Sequence, residues 1–182
     1  MKLSEVKHIS APGYLRFETE EEKKEIAKYI EAPLVHAVEM LLERNIRSGW
    51  ANANSEDWVE NNRSMAYTSL TVCSNTMSEE NLGILADLIK QYPQYIEQTT
   101  TCGKLGLEKE RPFKNHRIHR QFPLDTEIGE ISAFYEGIVG QFAAQEKISD
   151  NGLMERYPNG FPAPAPKVKT SVLKKVKDLI GI

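Results

Sequence analysis

Leu34, Val38, Leu41 and Leu42 stand at the i, i+4, i+7 and i+8 spacing of one helix face, a core-facing stripe. Ahead of them, Ile26 and Ile30 lie four residues apart behind an acidic turn. Thr19 and Glu22 open that turn with a capping-box pattern, which predicts a first helix. Pro33 falls between the two stretches and suits either the first residue of the second helix or a kink. His36 lies off the stripe. Further on, Ser78 predicts the cap of a third helix, in which Leu82, Leu85, Leu88 and Ile89 keep helical spacing until Tyr92 and Pro93 stop it. Asp125 or Thr126 is expected to cap a fourth, with Ile128, Ile131, Tyr135, Ile138 and Phe142 as its stripe and Asp150-Asn151-Gly152 as its end.

Between these stretches the helical spacing is lost. Residues 46–51, 65–74, 95–102 and 116–122 read as strands, the second rich in Thr, Val, Leu and Tyr and the third in Thr. Residues 14–17 have the composition for a further short one, while 52–62 reads as a polar loop and Gly103 and Gly106 mark a turn region. The order is a helix pair, two strands, a helix, two strands and a helix. That order predicts an α+β fold: one mixed or antiparallel sheet of about four to five strands with three to four helices packed on it. Residues 1–152 form this domain. A stiff, proline-rich linker covers 153–166, and 167–182 read as a basic amphipathic helix. In that last stretch Val168, Val172, Val176, Leu179 and Ile180 make the apolar stripe, with Lys167, Lys169, Lys174, Lys175 and Lys177 around it.

Composition changes the picture only modestly. A chain of 182 residues with 40% hydrophobic and 27% charged side chains suits one globular domain and needs no metal or disulfide staple. A net charge of −3 argues against a general nucleic-acid-coating protein. The charge is uneven, however: acidic residues outnumber basic ones in 1–60, and the reverse holds in 104–120. No signal-peptide core or membrane span is evident, so a cytoplasmic protein is expected. Cys73 and Cys102 are expected to be reduced thiols, although their two strands could be neighbours and a disulfide stays open.

The most suggestive chemistry lies in residues 109–122, KERPFKNHRIHRQF. Metal-free phosphodiester cleavage needs an acid, a base and a cation, and His116 and His119 among Lys109, Arg111, Lys114, Arg117 and Arg120 supply those types. Strand geometry opposes a catalytic pair. A spacing of three puts His116 with Ile118 and Arg120 on one face, and His119 with Arg117 and Gln121 on the other. The same residues also suit RNA or phosphate contact, or a charged strand at a sheet edge blunted against aggregation. Trp50, Trp58 and Tyr67 suit either an aromatic binding surface or ordinary packing. The four histidines are scattered, and no Cys-x-x-Cys, phosphate-binding glycine loop or nucleophile elbow is present, so no metal or cofactor is expected.

The run FETEEEKKEIAKYIEAPLVHAVEMLLERNIRS, followed by TSLTVCSNTMSEENLGILADLI, resembles small accessory proteins of mobile elements in Gram-positive bacteria. In overall pattern, over roughly residues 1–150, the chain is similar to the type II anti-CRISPR proteins of streptococci and their relatives. The resemblance implies a cytoplasmic partner of an RNA-guided effector nuclease, its guide RNA, or both, that blocks DNA cleavage. Within that class some members prevent guide loading and others cause the guide to be shortened. No functional residue carries over from the class to a position here. The basic segment and Lys174, Lys175 and Lys177 would then meet guide RNA or an acidic nuclease surface, and the acidic half could mimic nucleic acid. A stand-alone ribonuclease using His116 or His119, and a non-enzymatic interaction module of a mobile element, are the competing expectations.

Overall fold

The computed structural model describes residues 1–7, 9, 20–53, 64–103 and 111–149. The expected strand at 14–17, the Thr19 cap, Trp58, Gly106, the stop at 150–152, the linker and the basic C-terminal helix lie outside these residues, as do Lys109, Lys174, Lys175 and Lys177. Within them the chain is α+β. Its strands are β1 (Ser48–Asn52), β2 (Met65–Val72), β3 (Ile96–Gly103) and β4 (Arg111–Pro123). They form one antiparallel sheet in the order β1-β2-β4-β3. Its helices are α1 (Glu20–Lys24), α2 (Val35–Glu43), α3 (Glu79–Gln91) and α4 (Ile128–Val139).

The register of β2 against β4 sorts the side chains. Ala66 lies opposite Phe122, Leu70 opposite Ile118 and Val72 opposite His116, and opposite residues share a face. Ala66, Leu70, Val72, Ile118 and Phe122 are buried in one cluster with Val38 and Leu41 of α2, Leu85 and Leu88 of α3, and Ile131, Tyr135 and Ile138 of α4. The helix stripes read from the sequence are therefore the helical half of this core. Thr68 supplies a polar tie within it. Its Oγ1 lies 2.6 Å from the Tyr135 hydroxyl and donates to the Arg120 carbonyl at 3.0 Å. Burial drives the Tyr135 phenol pKa upward, so the group stays a neutral hydrogen-bonding partner.

Three helix boundaries differ from expectation. The first helix does not run through Ile30. It stops at Lys24 and tightens into a 3-10 turn, Ile26–Lys28, although Ile26 and Ile30 are still buried. The reason is long-range. Glu31 is extended (φ −65°, ψ 140°), and its buried carboxylate accepts from the backbone amides of Ile9 and Ala53, a geometry that a continuing helix would not give. Pro33 sits in the next turn, Ala32–Leu34, which leads directly into α2. Neither Asp125 nor Thr126 caps α4. Its N-cap is Glu127, whose side chain makes no bond to the helix amides; the N-terminal residues lie alongside, and the Ile128 amide donates to the Met1 carbonyl at 3.0 Å. At its other end α4 stops at Val139, well before 150–152. The Gly140 amide donates to the Glu136 carbonyl at 2.7 Å, and a Cβ on Gly140 would lie only 2.8 Å from that oxygen.

The ends of α2 and α3 are fastened together. Asn45 takes the left-handed conformation (φ 56°), and the Ile46 amide reaches back to the Leu41 carbonyl, a Schellman stop. Ser78 caps α3 as expected, its Oγ accepting from the Asn81 amide at 3.2 Å. Gln145 then bridges the two ends. Its Oε1 accepts from the Ser78 amide (2.7 Å) and from Asn81 Nδ2 (2.9 Å), while its Nε2 donates to the Thr76 carbonyl (2.6 Å) and the Asn45 carbonyl (3.3 Å). Asn81 in turn donates to the Ala143 carbonyl and accepts from the Ala143 amide.

Candidate functional site

Strand β4 is an interior strand, paired with β2 on one side and β3 on the other. The reading of this segment as a sheet edge therefore does not hold. An interior strand can carry this much charge because its two faces meet different surroundings. The register is unbroken over residues 116–123, so its side chains alternate strictly between them.

His116 and His119 consequently lie on opposite faces. His116 is opposite Val72 on the helical side and nearly buried, at 9% exposure. His119 is opposite Ser69 on the other side and partly exposed. They do not form one acid–base pair. Arg120 also turns to the helical side, where its guanidinium carbon sits 4.7 Å from the Phe122 ring centroid, 5.1 Å from Phe134 and 5.5 Å from Tyr95. Contacts within about 6 Å of a ring centroid are attractive cation–π interactions. Phe134 also meets Tyr95, Phe122 and Tyr135 edge to face. Arg120 is thus engaged in packing α4 onto the sheet. Arg111 and Lys114 belong to the end of β4 that pairs with β3, opposite Gly103 and Thr100.

The other face of the sheet is largely polar. It brings together Tyr67, Ser69 and Thr71 of β2, Asn115, Arg117, His119 and Gln121 of β4, and Glu97 and Thr99 of β3. Exposure rises along it. Asn115, Ser69 and Thr71 are buried, Tyr67, Arg117 and His119 are partly exposed, and Glu97 and Gln121 are exposed. Tyr67 and His119 stack diagonally across β2 and β4, with ring centroids 5.3 Å apart and planes inclined by 26°. One row along, Arg117 lies opposite Glu97, and its guanidinium is 3.2 Å from the Glu97 carboxylate. With side chains 40% and 47% exposed, this pair contributes little to stability, about 0–1 kcal/mol.

The sequence set Arg117 and His119 on one strand face and singled out Tyr67 separately, and the structure brings these three together. It leaves His116 and Arg120 on the far side of the same sheet. Glu97 was missed, since only the pairing of β3 with β4 sets a lone acid of the Thr-rich strand against Arg117. Cys73 is a buried free thiol just past β2, and burial pushes its pKa up to about 11, against the opposing pull of Arg47. Among the described residues no three His, Cys, Asp or Glu side chains are grouped to hold a metal ion. No helix among them is long and apolar enough to cross a membrane. No protein family, curated protein or solved structure matches the chain.

Proposed function

We propose that this protein inhibits a type II RNA-guided nuclease in the bacterial cytoplasm by binding the guide RNA held by that nuclease. The observation that carries the mode of contact is the polar sheet face. Its stacked Tyr67 and His119, the Arg117 guanidinium and the exposed Gln121 amide are the side-chain types that single-stranded RNA-binding sheets use. The kind of nuclease comes from the sequence resemblance over residues 1–150. Binding is favoured over cutting because His116 and His119, the two candidates for acid and base, point to opposite sides of the sheet.

The test mixes the protein with a type II effector nuclease and labelled guide RNA, and reads DNA cleavage and guide length in one reaction. A control omits the nuclease. Lost DNA cleavage with guide left uncut in the control supports the reading, and Arg117→Ala with His119→Ala should restore cleavage. RNA cut in the nuclease-free control would instead make the chain a ribonuclease. Full DNA cleavage across several nuclease orthologues would overturn the function and leave an interaction module with another partner.

A further inference from the structure

Resting on that guide-binding reading, we infer that Tyr67 and His119 form a stacking platform for one unpaired base, and that Glu97 holds Arg117 ready for the neighbouring phosphate. The platform is rigid where it needs to be. Tyr67 is on β2 and His119 on β4, the two interior strands, joined by eight successive register pairs. Their rings are already stacked and partly exposed, so a base adds to an ordered surface and orders no loop on arrival. Every base has a π face, so this contact tolerates sequence and favours any unstacked nucleotide. An A-form duplex keeps its bases stacked on each other, and a sheet face meets only its backbone. The ligand class is therefore single-stranded RNA.

Arg117 supplies the second half of the site. It shares a face with His119 two residues along β4, about 7 Å away, a distance over which a long guanidinium side chain reaches the backbone of a base stacked at His119. Its fork suits two phosphate oxygens, and the Glu97 partner it must leave is an exposed carboxylate easily rehydrated. Glu97 thus acts as a place-holder. It keeps the guanidinium on this face and weakens binding of anions that bring no base to the platform.

The experiment measures binding of the full chain to fluorescently labelled unstructured RNA and to an RNA hairpin of equal length, by anisotropy at two salt concentrations. Unstructured RNA should bind more tightly than the hairpin. Tyr67→Ala and His119→Ala should each weaken it about 5- to 100-fold, with Tyr67→Phe close to wild type. Glu97→Gln should tighten it by up to about fivefold. Arg117→Ala should lower the salt dependence by about one released counterion. Thermal melts check that each variant folds, and His119→Ala with Glu97→Gln carries the test if Tyr67→Ala does not. RNA bound equally well by the wild type, Tyr67→Ala and His119→Ala overturns the platform and leaves guide binding standing. Inhibition of the nuclease by a wild-type chain that binds no RNA overturns both.

Discussion

The two faces of β4 differ in almost everything except their backbone. On the helical side Ile118 and Phe122 are dry, and even the charged Arg120 is spread over three aromatic rings. On the other side Arg117, His119 and Gln121 keep contact with water, and their partners are a half-exposed acid and a stacked tyrosine. Adjacent residues therefore meet different surroundings: one set packs against the helices, and the next stays in contact with water. Substitutions along this one strand should alternate between large and small costs in stability, and on the proposed function the second set should cost binding instead.

The largest effect should come from Ile118→Ala, which empties a fully buried site between Leu70 and Ile96. We expect a loss of about 2–5 kcal/mol in urea unfolding, against less than about 0.5 kcal/mol for Gln121→Ala on the other face. Similar losses at both positions would break the comparison. Next comes the pH dependence of the buried thiol. Cys73 has a folded pKa raised from 9.0 to about 11, so its stabilising contribution is complete below pH 9.0 and declines as the pH rises toward 11. Wild type should lose about 2–3 kcal/mol more than Cys73→Ala across that window, read from denaturant midpoints at each pH. A wild-type curve as flat as that of Cys73→Ala would mean the thiol is not desolvated.

Tyr135→Phe comes third, leaving Thr68 to satisfy itself with the Arg120 carbonyl alone. About 1 kcal/mol should be lost in the same unfolding assay. Smallest in stability is Arg117→Ala, expected within about 0.5 kcal/mol of wild type because its ion pair is exposed. If the proposed function holds, its effect should instead fall on inhibition of the nuclease, and an Arg117→Ala chain that melts early yet inhibits fully would reverse the roles proposed for the two faces.

Much of this division was legible in the sequence. The period-2 alternation of 116–122 already placed His116 and His119 apart, and the stripes at Leu34, Val38 and Leu41 and at Leu85 and Leu88 named helix faces that are indeed buried. Ser78 announced α3 by chemistry that is local to its own turn. What stayed hidden depends on residues far away in the chain. The interior position of β4 comes from pairing with β2, about 50 residues earlier, and nothing inside 109–122 reports it. Glu31 interrupts the first helix because its carboxylate serves Ile9 and Ala53, and at the start of α4 the Ile128 amide finds its acceptor in the Met1 carbonyl. Glu97 looks like any exposed acid until β3 lies beside β4. Local signals show which segments form helices and strands, whereas the site depends on which strands become neighbours.

The Gln145 bridge bears on the timing of folding as the chain is synthesised. It joins the end of α2 to the start of α3 through partners that lie as many as 100 residues earlier. On a growing chain the Asn45 and Thr76 carbonyls and the Ser78 amide are made long before the glutamine that satisfies them. Until it emerges, the first turn of α3 is held by Ser78, whose hydroxyl accepts from the Asn81 amide and whose carbonyl accepts from the Leu82 amide, and should open more readily to exchange with solvent. On a growing chain the glutamine that fastens these two helix ends is thus the last of the bridge's groups to be made.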